Sequence, residues 1–324
     1  MASPNTTFTE LVTTTLREHP NEVADNVSGH NAFYRLLKDK GQIKKIDGGY
    51  EIVRPLDYAE NATVQRFSGF DTLNVGQSNV LSAAKFDWVQ TVVHVAASGE
   101  ELRKNSGKNQ LIDLMKAKLK NAIRTAGNTM SVDLYSSGSL TNQMGGLAHI
   151  IQNAGTGTVG GIDSSSYTFW KNKFREMTGT GTWSKSTIKG DMNALWLDCV
   201  RGTDKPDLVI STNDFYAAYW ESLQDLARYN DPSVNGKSNA LGATLMYNGI
   251  PIIFDNNSNF STTGEKMYFL NTEYLELIVH KEANWNQLAD KVPTNQDAVL
   301  IPLVSMHQLC VRNRYLQGVL IDAS

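Results

Sequence analysis

The chain has 324 residues, of which 41% are hydrophobic and 19% charged, and its net charge is −3. That length buries a sizeable core in one or two domains, and the near-neutral balance gives no whole-chain signature of a nucleic-acid binder. The first twenty residues have no basic segment leading into an apolar core. No apolar run reaches the roughly 20 residues that cross a bilayer, so neither a signal peptide nor a membrane helix is expected. Cys199 and Cys310 form no CxxC pair and read as buried thiols in a reducing cytoplasm.

Residues 1 to 40 are polar, with one short amphipathic patch in which Phe33, Leu36 and Leu37 make a helical stripe ending at Gly41. A segment this thin builds no core of its own. It is either disordered or an arm that packs on something else. "KKIDGGYEIVRPL" reads as a hairpin turning at Asp47-Gly48-Gly49. Residues 55 to 85 are too polar for a core, yet hold Tyr58, Phe67, Phe70 and Leu73. A structureless loop of that length is unusual in a compact domain, so a long two-stranded excursion is expected. Isolated hairpins are marginal in water, so its apolar residues rest on another subunit or, alternatively, on its own domain.

From Phe86 the apolar period is two. Phe86, Trp88 and Val92 fall on one side and Val89, Val93 and Val95 on the other, which predicts a strand apolar on both faces inside a sheet. Ser98 and Glu101 then have capping-box spacing. From about Lys108 into the 130s the period is near 3.6, with Leu111, Leu114, Met115, Leu119 and Ile123 on one stripe of a long helix. Lys116, Lys120 and Arg124 repeat at i,i+4 on its polar side.

Beyond a glycine-rich stretch, Tyr167, Trp170, Phe174 and Met177 predict one helix, and Ile188, Met192, Leu195 and Cys199 the next. "PDLVIS" is a short buried strand. Ser211 or Thr212 caps a helix carrying Phe215, Tyr219, Leu223 and Leu226. "LMYNGIPIIFD" is a hairpin turning at Asn248-Gly249; "KMYFLN" and "YLELIVH" are strands; "MHQLCVRNRYLQGVLI" is one extended strand. Helices and strands mix without regular βαβ alternation, which argues for an α+β fold with a mixed or antiparallel sheet.

Candidate chemistry is sparse. Gly155, Gly157 and Gly160 have G-x-G-x-x-G spacing, but a dinucleotide site needs them between a strand and a helix, and "IDSSS" intervenes. The six histidines are scattered, without H-x-x-x-H or Cys/His clusters, so no metal, cofactor or catalytic residue is assigned.

In this order the parts resemble the major capsid proteins of tailed bacteriophages, with the fold named after phage Hong Kong 97. The resemblance lies in a thin arm, a polar excursion, a strand ending in "SGEEL", a long helix, "PDLVISTNDFYAAYW", "NGIPIIFDN" and a final long strand. It implies an N-terminal arm (1–48), an E-loop excursion (49–86), a P-domain with a spine helix (87–145), an A-domain (146–295) and a return strand to the P-domain (296–324). It further implies a non-enzymatic coat protein that self-assembles, through hexamers and pentamers, into an icosahedral head around double-stranded DNA, in the virion after assembly in the host cytoplasm. Expected partners are scaffold and portal proteins and packaged DNA bound non-specifically, with a decoration protein as an option.

On the same resemblance, Tyr58, Phe67, Phe70 and Leu73 make assembly contacts. The Leu111–Ile123 stripe packs the spine helix. Lys116, Lys120 and Arg124 form either a solvated face or an inward basic face towards phosphates. The alternative within the same fold is an encapsulin-type shell around cargo enzymes. The distant alternative is a small-molecule enzyme using the Gly155–Gly160 loop. Some relatives cross-link their shells through an E-loop lysine, and residues 55 to 84 contain none, so no covalent cross-link is expected.

Overall fold

The computed structural model describes residues 32–104, 114–177, 186–224, 245–255, 260, 264–288 and 295–322. Helix α1 (Ala32–Asp39) leads into strand β1 (Ile43–Ile46). Strands β2 (Ile52–Asp57) and β3 (Leu81–Phe86) follow, then β4 (Val89–Ser98), a short helix α2 (Gly99–Lys104) and the long helix α3 (Leu114–Leu134). A helical turn α4 (Leu147–Ile150) precedes the two-residue strands β5 (Thr158–Val159) and β6 (Ile162–Asp163), and then β7 (Lys173–Glu176). Helix α5 (Ile188–Cys199), β8 (Leu208–Ser211), α6 (Asn213–Gln224), β9 (Leu245–Tyr247), β10 (Ile250–Phe254) and β11 (Lys266–Leu270) come next. The long strands β12 (Leu275–Gln287) and β13 (Ala298–Val311) precede β14 (Gly318–Ile321).

Two sheets organise these elements. One runs β1-β12-β13-β4 and the other β7-β14-β11-β8-β10-β9. The centre of the second is buried on both faces: every residue of β8, β11 and β14 is buried. One face of it joins a core with α5 and α6, where Ile188, Met192, Leu195 and Cys199 meet Phe215 and Tyr219. The other joins a larger core that includes α1, the end of α3 and the four-stranded sheet. The α+β class is the one the sequence reading gives.

Several elements differ from that reading. "KKIDGGYEIVRPL" is not a hairpin, because β1 pairs parallel with β12 while β2 pairs with β3. Gly48 and Gly49, with φ of 129° and 127°, let the chain change sheets between them. Tyr167, Trp170, Phe174 and Met177 do not share a helix; a single 3-10 turn at Thr168–Trp170 gives way to β7, and the 3–4 spacing is incidental. The last strand is broken. β13 ends at Val311, and β14 belongs to the other sheet. Between them the buried Arg314 donates from Nε to the Ile150 carbonyl (2.5 Å) and from its amino groups to the carbonyls of Thr156 (3.0 Å), Gly157 and Trp170 (both 3.4 Å), which pulls the chain out of the sheet. Leu226 lies outside the described residues.

Residues 32–46, the end of the thin arm, pack on their own subunit. Phe33 and Leu37 are fully buried, and Phe33 meets the Tyr135 ring at 5.8 Å. Lys40 Nζ reaches Asp207 at 2.5 Å, although both side chains are about a third exposed.

Candidate assembly surfaces

The excursion is two-stranded only at its base. β2 and β3 form an unbroken antiparallel ladder from Ile52↔Phe86 to Asp57↔Leu81. Ile52, Leu56, Ala84 and Phe86 face the subunit's core. The Gly155–Gly160 loop docks there: Gly160 accepts from the Lys85 amide (2.9 Å), and a Cβ at Gly160 would come within 2.8 Å of the Ala84 methyl. Gly160 and Gly161 form the two-residue turn of β5–β6 with φ of 60° and 76°. No helix follows the loop, and the Thr156 and Gly157 carbonyls are directed at Arg314. A phosphate needs amides, so this glycine spacing does not build a dinucleotide cradle.

Past the Tyr58 amide, which donates to the Val80 carbonyl (3.0 Å), the two limbs are held by side chains rather than a ladder. Asn61 Oδ1 accepts from the Thr63 amide (3.0 Å), Asp71 Oδ2 from Ser68 (2.8 Å) and Asn74 Oδ1 from Gly76 (3.0 Å). Gln65 bridges the two limbs, accepting from the Asn74 amide (3.1 Å) and donating to the Thr72 carbonyl (3.0 Å). These short polar side chains compete with strand pairing, which is why the predicted two-stranded form goes no further than Tyr58 and Val80. Phe70 is fully exposed, and Phe67 and Leu73 are more than half exposed. Tyr58 lies at the base, its ring 5.6 Å from Phe169. Val64 and Val75, which the sequence reading did not single out, are also exposed, Val75 at 91%.

The base of the excursion is tied to the four-stranded sheet by one buried carboxylate. Glu276 of β12, 1% exposed, meets Lys44 of β1 (2.5 Å), Arg54 of β2 (3.0 Å) and Arg312 just past β13. Burial pushes its pKa up. The hydrogen bond from Lys44 and the charges of Arg54 and Arg312 outweigh this and hold the carboxyl below its ordinary range. Sequence reasoning missed this joint. The only signal was an acid set in the apolar run "YLELIVH".

Helix α3 packs on the sheet through Ala122, Ala126, Met130 and Leu134, spaced by four, with Ala122 against Val95 and Leu303. Leu119 is partly buried against that cluster, whereas Ile123 stands off the packed stripe, 53% exposed. Leu111 and Lys108 lie outside the described residues, and of Leu114, Met115 and Lys116 only the helical backbone is described. Lys120 is exposed and Arg124 partly so, on the helix's outer side. Lys118 turns back to the Glu101 carboxylate (3.1 Å). The Ser98–Glu101 capping box forms in both directions, at 3.2 Å each way. Cys199 and Cys310 are free and buried, and burial pushes the Cys199 thiol up to about 12.

No family model and no curated protein matches the chain. Solved structures do match. The capsid asymmetric unit of cyanophage A-1(L) superposes with a TM-score of 0.68 over 95% of this chain and 96% of its own, at 16% identity. The capsid of an empty GTA particle gives 0.64 over 95% and 94%, at 9% identity. The chain has the phage capsid fold. In that fold's terms the β2–β3 excursion is the E-loop and α3 the spine helix. The same fold appears in the SrpI encapsulin of Synechococcus elongatus PCC 7942, with a TM-score of 0.60 over 97% and 95% at 10% identity.

Proposed function

We propose that this chain is a major capsid protein, a structural rather than catalytic subunit that self-assembles into the icosahedral head shell around double-stranded DNA. The observation that carries this reading is the E-loop. Its ordered hairpin base holds Phe67, Phe70, Leu73 and Val75 out into water, where a monomer gains nothing from them. Such a surface fits burial against a neighbouring subunit, in contacts of roughly 2,000 Å² or more per pair. The phage capsid fold supports the same reading. On this reading the arm spans 1–48, the E-loop 49–86, the P-domain 87–145 and the A-domain 146–295, with 296–324 returning to the P-domain. The exposed Lys120 and partly exposed Arg124, with Lys116, would face packaged phosphates. Scaffold and portal proteins, a decoration protein in some shells, and a virion location after assembly in the host cytoplasm belong to this reading.

The encapsulin likeness favours a second reading, a shell enclosing protein cargo. Electron microscopy of the expressed chain, alone and with a scaffold, tests the shared claim. A chain that stays monomeric at high concentration under both conditions refutes it. The contents of particles purified from the native source separate the readings, nuclease-sensitive DNA supporting the first and a packaged enzyme the second.

A further inference from the structure

β7 forms one edge of the six-stranded sheet, and the chain entering it shapes a pocket of about 310 Å³. Thr168, Lys171, Asn172, Lys173, Phe174 and Tyr315 line it. Its frame is fixed by hydrogen bonds. Asn172, 1% exposed, accepts from the Gln152 amide (3.2 Å) and donates to the carbonyls of Gln152 (2.9 Å) and Lys173 (3.0 Å). The Lys173 amide donates to the Gln317 carbonyl (2.9 Å), and the Tyr315 amide to Asn313 Oδ1 (3.1 Å). The Asn172 amide is thus spent inside the fold. The hydroxyls of Thr168 and Tyr315 have no partner among the described residues.

Aromatic faces, rather than carboxylates, place the two lysines. Lys173 Nζ sits 3.7 Å from the centre of the Tyr315 ring, and Lys171 Nζ 5.6 Å from that of Phe174. The Lys171 stem crosses Gly155, where a Cβ would meet its Cε at 3.0 Å. Both lysines are partly buried, and neither forms an ion pair among the described residues. Asp198, which acts with Lys173 on the Cys199 thiol, does not pair with that lysine. A third cation lies beside them. The fully buried Arg314 is held by four carbonyls and by no carboxylate, and it and its acceptor Trp170 directly precede Tyr315 and Lys171 in the chain. Three positive charges therefore gather without a bonded carboxylate, in partly desolvated surroundings that strengthen their pull on an anion.

We infer that this pocket binds one phosphate group, with Lys171 and Lys173 as its counter-charges and the hydroxyls of Thr168 and Tyr315 as further partners. A phosphate monoester carries about two negative charges at neutral pH, which matches two ammonium groups. A carboxylate would leave one of them unmatched, and ammonium groups lack the fork that grips a planar carboxylate. The site differs from the glycine cradle excluded above, because cations and hydroxyls, not loop amides, face the ligand. The phosphate is carried by a free phosphate or nucleotide, or by a nucleic-acid strand. The inference stands on the subunit alone and does not rest on the shell reading.

Calorimetry on the full chain tests it, with sodium phosphate titrated against sodium acetate at fixed ionic strength. Phosphate should bind once per chain, and acetate more weakly. Lys171→Met with Lys173→Met should lower the phosphate affinity at least tenfold, whereas Lys120→Met, on helix α3, should leave it unchanged. Methionine keeps the apolar stem over each ring, and circular dichroism checks that the double variant folds. Independently of any variant, phosphate should slow the acetylation of Lys171 and Lys173 by acetic anhydride in the unaltered chain, read by mass spectrometry, with Lys120 labelled as before. Protection by free phosphate assigns a small ligand. Protection by a short DNA duplex alone assigns the phosphate to a nucleic-acid strand. Tighter binding of acetate, phosphate binding that survives the double substitution, or no protection by either phosphate source overturns the site.

Discussion

Two hairpins of this subunit use the same local chemistry for opposite ends. The β9–β10 hairpin closes through Asn248-Gly249, with φ of 47° and 82°, and buries Ile250 and Ile252 against α5 and α6. The β2–β3 hairpin opens into a loop from Tyr58 to Val80 and turns its largest apolar residues to water. In the first, apolar area is removed from solvent by the fold itself; in the second, it stays available for another molecule. Hydrophobicity along the chain is the same signal in both. Only the geometry of the supporting strands decides whether it serves folding or association.

The largest effect expected is at the joint that holds the second hairpin. Glu276→Ala leaves Lys44, Arg54 and Arg312 facing one another around a buried gap and should cost about 3–5 kcal/mol in chemical denaturation. If the cost is under about 1 kcal/mol, the joint is not what fixes the hairpin's direction. Next comes Ile252→Ala in the first hairpin, expected to cost about 2–5 kcal/mol through the cavity left between β10 and the helices.

Acid should act in two windows. Burial lowers His307 from its ordinary 6.5 to about 4, so stability is full above pH 6.5 and declines as pH falls towards 4. The lowered carboxyl of Glu276 adds a second decline below about pH 4.5. Unfolding midpoints measured from pH 7 to 3.5 should show both, and His307→Gln should shrink the upper one, to which His149, also lowered by burial, contributes, while leaving the lower one in place.

At the small end, Phe70→Ala should change subunit stability by less than about 0.5 kcal/mol, because the ring is already exposed, yet slow assembly measured by light scattering. An effect on unfolding as large as that of Ile252→Ala would erase the contrast between the hairpins. No change at all is expected from boiling particles in detergent. With no lysine between residues 55 and 84, a single band at the mass of one chain should appear, and a reductant-resistant ladder would refute non-covalent closure.

Legibility followed the range of the interaction. Asn248-Gly249 was readable because a two-residue turn is a local matter, as were α5 and the strand at Leu208–Ser211. Asp47-Gly48-Gly49 carries the same signature but misleads, because the partner of β1 is β12, more than 200 residues away. β4 reads as apolar on both faces, yet Val92 faces water in the subunit. Sequence shows that a face is apolar and cannot show which molecule covers it. Phe67 and Phe70, which the sequence reading expects to rest on another subunit, are exposed in this one. Nothing local marked Arg314 for burial, since its carbonyl partners come from four separate positions between Ile150 and Trp170.

The place of β14 also constrains when the subunit can exist. This strand lies between β7, which it pairs in parallel, and β11. A ribosome that has produced everything through β13 has still not supplied the piece that joins β7 to the rest of the six-stranded sheet. Until residues 318–321 emerge, Phe174 and Arg175 have no strand to register against, and the helices over that sheet rest on an incomplete floor. Such non-local pairing is slow to form. The order of synthesis therefore acts as a timer: the six-stranded sheet stays in two pieces, β7 apart from β11, until residues 318–321 are made.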